Sequence, residues 1–535
     1  MRKKAILYTK FLIKKNSFFL SPALDLTVDV QILADLHFQQ RIDMTSTTFP
    51  GTKPLLTQRI ELAIQAMAAS ANISRLADEY HVSRKYVYQQ KQKAQVALDE
   101  AFAAKAADDD VLFHLPVTKT WLNQITLFLT LVCHSSYRGV VEFMRDMLGV
   151  SISEGSVHNL HQLAIERAGH INRVQDLSLI RHGLLDEIFH CNHPVLAGID
   201  AASTYCFLLA AEAQRDSDTW AIHLYDAKDQ GFNPDYGISD AAKGTRAGFK
   251  QVFTDKACHG DVFHILHQCE GLVNVLGNLA QGATSRRAAL EVKIQADKKL
   301  DHDNTLSAQL AEALQAEAQA VQLLKDIKTL SQWLRRDILE LAGPSLATRI
   351  ELFDFVTSEL LEREQIDAKR IRPVRVALQN QRDKLLAFAG VLDGKLEAIA
   401  QAQNLSMYLV RQACELQRKP ETSAAYWQEW CRLCAQMGHK CHAVFEAVIN
   451  AMDQTPRCSS MVENLNSRLR NYFTLRRNVG GDYLNLLQFF LNHRTFLRSR
   501  VPERVGKSPK QLMTGQEHPH WLTLLGFGQL QPQQA

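Results

Sequence analysis

Between Arg181 and Ile265 the sequence abandons helical periodicity for short runs of strand-forming residues: LLDEIF at 184–189, PVLAGI at 194–199, TYCFLLAA at 204–211, DYGISD at 235–240 and GDVFHI at 260–265. The first three follow one another across turn-length gaps, which predicts an antiparallel meander. Helical stretches at 218–228, containing Trp220, and at 245–253 separate the others. A helix between two strands of one sheet is a crossover, so the order β-β-β-α-β-α-β predicts a mixed sheet with helices on its faces.

Elsewhere the apolar spacing is helical. Residues 271–455, including LSAQLAEALQAEAQAVQLLKDIKTLSQWLRRDILELAG, read as a long all-α insertion, and 456–535 as closing helices with a loop-rich tail. Before the sheet, 51–105 read as one helical module and 106–180 as a second. A chain of 535 residues with 46% hydrophobic content has ample material for such an α+β multidomain arrangement. Residues 1–50 are a poorly defined leader, and Met44 makes the first 43 residues either a loose tail or an over-extended start. No run approaches the roughly 20 apolar residues of a membrane span. The ten cysteines are scattered, unlike a secreted disulfide framework, which points to a reducing cytoplasm.

The first module carries a helix-turn-helix pattern. Helices over 57–69 and from Asn72 precede a break at His81 and Val82, and Ser83 then caps a helix displaying Arg84, Lys85, Tyr86, Tyr88, Gln89, Gln90, Lys91 and Lys93. Arg and Lys at the start of such a helix meet phosphates or guanine edges in the major groove, and Gln meets adenine. A solvated basic hairpin is the plainer alternative. In the second module Gly149 ends one helix and Ser151 or Ser153 caps the next, but Glu142, Asp146, Glu154 and Glu166 make packing or dimer contact nearly as good a reading as DNA binding.

Three carboxylates stand where a sheet and a following helix can bring them together. Asp186 lies in the first β-run, Asp240 ends the fourth, and Glu463 lies on the helix after the insertion. Three such groups can hold two divalent ions as hard oxygen ligands, one ion activating a hydroxyl nucleophile and the other stabilising the leaving oxygen. Around Glu463 the charge is strongly positive: between Arg457 and Lys510 there are 11 Arg and Lys against three acids, with Arg468, Arg470, Arg476 and Arg477 nearest. Such a patch neutralises phosphates, and its plainer reading is a solvated helix face. In CRLCAQMGHKCH, Cys431, Cys434, His439, Cys441 and His442 tempt a zinc reading. No second pair stands at zinc-finger spacing, so buried cysteines of an amphipathic helix are the better account. The sequence has no P-loop lysine motif, G-x-G-x-x-G or G-x-S-x-G.

Taken in order, LLDEIF, PVLAGIDAASTYCFLLAAEAQRDSDTW, GISDAAKGTRAGFKQVF, DVFH and MVENLNSRLRNYFTLRR resemble the DDE transposases, as does the closing stretch NHRTFLRSRVPERVGKSPKQLMTG. The resemblance covers about 180–270 and 455–527, and the helical insertion is similar to that of the Mutator-like branch. It implies a ribonuclease H-like core, divided into 181–270 and 456–535, with Asp186, Asp240 and Glu463 as catalytic metal ligands. Asp200 in GIDAAS competes with Asp186, and Asp261 is the alternative to Asp240, whose usual following glycine is Ala241 here. Asp261 and His264 resemble an accessory Asp-x-x-His pair, with a core histidine as the plainer reading of His264. Asn464 adjoins Glu463 as a further accessory residue, and Glu187 alternates to the opposite strand face.

The resemblance further implies a transposase that binds the terminal inverted repeats and target site of double-stranded DNA, uses two Mg²⁺ or Mn²⁺ ions to cut strands and join 3′ ends, and works as a homo-oligomer in the cytoplasm near the nucleoid. The rival expectation is a catalytically inactive helix-turn-helix DNA-binding protein derived from one. A metal-dependent nuclease that cuts without joining shares the same residues.

Overall fold

The computed structural model describes residues 54–102, 115–297, 305–475 and 480–530, so the leader and the residues Arg476 and Arg477 lie outside the described part. The chain divides into two compact units at Leu115 and Pro116. In the first, α1 (Leu56–Met67), α2 (Ile73–Glu79) and α3 (Arg84–Phe102) close over a small core of Leu62, Ala66, Leu76, Ala77 and Val87. Asn72 caps α2 through its side chain, and the Ser83 hydroxyl accepts the Tyr86 amide at 3.2 Å at the start of α3. Both caps satisfy amides that a helix start leaves without partners.

The second unit is α+β and is built on one five-stranded mixed sheet. Helices α4 (Lys119–Leu131), α5 (Tyr137–Leu148) and α6 (Glu154–Arg173) lead into β1 (His182–His190), β2 (His193–Asp200) and β3 (Cys206–Ala211). Then follow α7 (Ser217–Asp229), β4 (Tyr236–Ser239), α8 (Lys243–Val252) and β5 (Ala257–Gly260). The spatial order is β3-β2-β1-β4-β5, with β1 antiparallel to β2, β2 to β3, and parallel pairing from β1 to β4 and β4 to β5. The fifth strand differs from the expectation: GDVFHI is not a strand, because Asp261 accepts the Phe263 amide at 2.9 Å and opens α9 (Val262–Asp297) at once.

Alternation along β1 sorts its side chains. Leu184 and Ile188 face one core, shared with Leu127, Leu131, Ala164 and Ala168 and with α16 (Ser460–Leu475), α17 (Gly481–His493) and α19 (Trp521–Leu524); α18 (Pro509–Thr514) precedes the last of these. Leu185 faces the other core, beneath Trp220 and Phe249 of α7 and α8. Within the second helical module, 106–180, the described residues keep a cluster of their own around Val140, Met144 and Val157, but α4 and α6 also bury their apolar stripes against the sheet core.

The described residues of the insertion form helices and short loops, with no strand among them. Helices α9 and α10 (Thr305–Trp333) run antiparallel, tied by Arg287 to Glu317 and by Arg335, just beyond α10, to Glu270. Then come α11 (Leu346–Glu364), α12 (Ala368–Gln403), α13 (Met407–Leu416), α14 (Ala424–Met437) and α15 (Cys441–Asp453). The cysteine-rich segment departs from the expectation of buried thiols. The short turn Gly438–Lys440 brings the end of α14 back to the start of α15, so Cys434 and Cys441 form a disulfide with a Cα–Cα distance of 5.0 Å, while Cys431 is exposed. Among the described residues no helix is long and apolar enough to cross a membrane.

Candidate metal centre

Asp186 shares the strand face of Leu184 and Ile188, so β1 aims it at α16. Two donors hold its buried carboxylate: the Glu187 amide reaches Oδ1 at 2.8 Å, and the side chain of Asn466 on α16 donates to Oδ2 at 2.9 Å. Glu463, in the first turn of α16, lies three residues before Asn466 and therefore on the same helix face. His264, in the first turn of α9, faces the pair. Ligand atoms of Asp186, His264 and Glu463 all lie within 4.8 Å of one another, the spacing of groups that can share one ion.

Asp240 stands beside this group rather than in it. Leu185 pairs with Ser239, and one residue further that register sets Asp240 next to Asp186. Its Oδ1 accepts the Ala242 amide at 2.9 Å at the start of α8, which fixes the carboxylate without a glycine at position 241. Burial pushes the Asp240 carboxyl above the usual carboxylate range, and the negative charges of Asp186 and Glu187 add to the rise.

His264 Nε2 lies 3.8 Å from Asp186 Oδ1 and 3.8 Å from Asp261 Oδ2. The pull of Asp186, joined by Asp261 and Asp240, overcomes burial and raises the imidazole to about 9. The ring is therefore half-buried among three carboxylates, Asp186, Asp261 and Asp240, whose charges favour its cationic form.

The other acidic candidates have structural work. Asp261 accepts the Ser459 amide at 2.9 Å and is bonded by the Ser459 hydroxyl, so it ties the end of β5 to the entry of the helix that carries Glu463. Asp200 pairs with Gly183, three residues and about 10 Å along β1 from Asp186. Its Oδ2 accepts the Ser203 amide at 2.8 Å and hydroxyl at 2.5 Å, closing the turn between β2 and β3. Glu187 does point to the other face, where it accepts from Arg215, Trp220 and Thr245.

Asn464 faces away from the carboxylates, and the amide on Asp186 belongs to Asn466. The spacing of Asn466 from Glu463, one helical turn, is the signal for it in the sequence. Nothing in the sequence singles out Arg246 on α8. Half-buried, it donates to Ser239 O and Gln381 Oε1 while its Nε has no partner, and burial lowers its proton affinity against the opposing pull of Cys258, Asp240 and Asp261.

The donor set fits a divalent cation. Two carboxylates suit Mg²⁺ or Mn²⁺, and the imidazole favours the softer Mn²⁺. Asn466 Oδ1, buried beside Asp186, has no hydrogen-bond partner of its own.

On α3, Ser83, Arg84, Lys85, Tyr88 and Gln89 are exposed in a row, Tyr86 and Lys91 are half-buried, and Gln90 turns inward to accept from Arg59 at 3.4 Å. Arg470 is exposed on α16, whereas Arg468 lines a cavity on its flank. No protein-family model matches the sequence, and no curated protein matches it.

Proposed function

We propose that this protein is a DNA transposase of the DDE kind, which binds element ends through its helix-turn-helix and cuts and joins DNA strands at the carboxylate centre. The observation that carries the reading is the convergence of Asp186, Glu463 and His264, from a central strand and two helices at opposite ends of the insertion, with Asp240 alongside. The strand order β3-β2-β1-β4-β5 with its first three strands antiparallel supports a ribonuclease H-like core, and the exposed basic face of α3 supports DNA binding.

Asp186, Glu463 and His264 would hold a divalent cation, with Asp240 placed to share a second. Such a cation supplies the positive charge that activates a hydroxyl nucleophile and stabilises the leaving oxygen of a phosphodiester. The chain's own residues do the rest. Asn466 and the Glu187 amide orient the Asp186 carboxylate, Asp261 fixes the helix bearing Glu463, and the raised proton affinity of His264 keeps the empty site from accumulating uncompensated negative charge. As a transposase it would synapse two ends as a homo-oligomer.

The test is strand cleavage and 3′-end joining on labelled DNA carrying the element ends, with Mn²⁺ or Mg²⁺, for the unaltered protein and Asp186→Asn, Asp240→Asn, Glu463→Gln and Asp200→Asn. Loss of chemistry with DNA binding intact in the first three alone is the expected result. Binding without cleavage by the unaltered protein would favour an inert DNA-binding protein, and cleavage without joining a nuclease.

A further inference from the structure

On the flank of α16, turned away from the carboxylates, lies a cavity of about 490 Å³ walled by the β2–β3 turn, α16, the end of α17 and the segment that follows it. Its volume falls in the range of sites for single small ligands. Four arginines, Arg468, Arg498, Arg500 and Arg504, line it, and no Asp or Glu does. The other polar walls are already engaged: Asn492 is bonded at both ends to the backbone of Cys206, at 2.7 and 2.8 Å. Arg504 donates to Ala202 O at 2.8 Å. Arg468, Arg498 and Arg500 have no ion-pair or hydrogen-bond partner among the described residues. Like charges gathered together repel one another, and Arg494 adds to the crowding around Arg468, while the Asp200 carboxylate behind the β2–β3 turn acts on Arg504. Guanidinium forks in such a cluster match the paired oxygens of a phosphate.

We propose that this arginine cavity binds one phosphate group of a nucleic-acid strand and so sets the position of the strand that reaches the carboxylate centre. Asn464 and Arg468, one turn apart, line the cavity, while Glu463 and Asn466 on the other side of α16 belong to the centre. The same helix therefore holds both sites in fixed register, and a strand gripped at one presents a neighbouring phosphodiester to the other. The proposal rests on the DNA-processing reading above. The phosphate is either a 5′-terminal monoester or an internal diester, which share the chemistry the cavity recognises.

The test is fluorescence anisotropy of the full chain, in EDTA so that no cleavage occurs, with short labelled single strands bearing or lacking a 5′-phosphate. Arg468→Ala, and separately the exposed pair Arg498→Ala with Arg500→Ala, are expected to weaken binding about tenfold each. The salt dependence should become shallower by roughly 0.7 for each phosphate that is no longer neutralised. Arg468→Lys, which keeps the charge and loses the fork, should fall between. A preference for the 5′-phosphorylated strand that disappears in the arginine variants assigns the cavity to a terminal phosphate, and equal losses on both strands to a diester. Arginine variants that bind like the unaltered protein, or an unaltered protein that binds neither strand, would overturn the proposal. The two readings fail separately: cleavage by arginine variants at the unaltered rate and affinity sinks the cavity alone, whereas arginine-dependent binding by a protein that never cleaves sinks the function alone.

Discussion

Asp186 and Asn466, 280 residues apart in the chain, are joined by a hydrogen bond of 2.9 Å from the amide Nδ2 to the carboxylate Oδ2. The bond closes the sheet onto α16 at the candidate metal centre. Asn466→Ala leaves a buried carboxylate short of a donor and should cost about 1–3 kcal/mol in chemical denaturation. Partners that orient a metal ligand matter to function by about 10–100-fold, and the same variant should lose metal-dependent cleavage on that scale. Asn466→Asp, which sets a like charge against Asp186, should do worse in both measurements.

Asp261 and Ser459 make the second closure. Replacing Asp261 with Asn weakens charge-assisted bonds to the Ser459 amide and hydroxyl, with an expected loss of roughly 1.5–3 kcal/mol by urea denaturation. On the proposed reading, cleavage should slow while DNA binding through α1–α3 is unaltered, because the bond holds only the helix of Glu463.

Gly248 lets α8 lie against α7. A Cβ there would stand 2.6 Å from Trp220 Cβ and 2.7 Å from Ser217 O, so the helices must part. Gly248→Ala should cost about 1–3 kcal/mol, read as a fall in thermal midpoint. These helices cover the sheet face opposite Asp186, so metal affinity of the folded variant should equal that of the unaltered protein.

Three buried histidines set the acid limit. Burial lowers His182, His259 and His493 to about 4, against 6.5 for a free imidazole. His182 and His259 sandwich Tyr236, with ring centroids 4.5 and 4.1 Å from it. Between pH 6.5 and 4 the unfolded chain takes up protons that the folded chain refuses. Stability is therefore full above about 6.5 and falls as the pH drops toward 4, by roughly 1.4 kcal/mol per pH unit for each such proton. His264 runs the other way: raised to about 9, it stabilises the metal-free fold fully below 6.5, and that contribution is lost as the pH rises to 9. Denaturation profiles of the unaltered protein and His259→Phe should differ on the acid limb, and those of His264→Gln on the alkaline limb.

Much of the sheet was legible because alternation in LLDEIF and PVLAGI survives folding as two differently covered faces, and that same alternation put Asp186 and Glu187 on opposite sides. The fifth strand was not. Ala257–Gly260 has little strand propensity of its own and becomes a strand by pairing with β4, while the apolar run of Val262, Phe263 and Ile265 serves a helix equally well. At the site, the carboxylates could be found by residue type, whereas the roles of Asn466, Ser459 and Arg246 depend on contacts across the insertion that no local spacing encodes. His264 was visible as a candidate, but its approach to Asp186 depended on α9 starting directly after β5, which sets the ring 3.8 Å from that carboxylate. The Cys434–Cys441 pairing depended likewise on a three-residue turn between two helices.

Whether Asp186, Glu463 and His264 hold a divalent cation, as proposed, is decided by calorimetric titration of Mn²⁺ into the metal-stripped full chain, run beside the Asp186→Asn, Glu463→Gln double variant and Asp200→Asn. Saturable binding by the unaltered protein and Asp200→Asn, and none by the double variant, is the expected result. Equal binding by all three, or none by the unaltered protein, would contradict it.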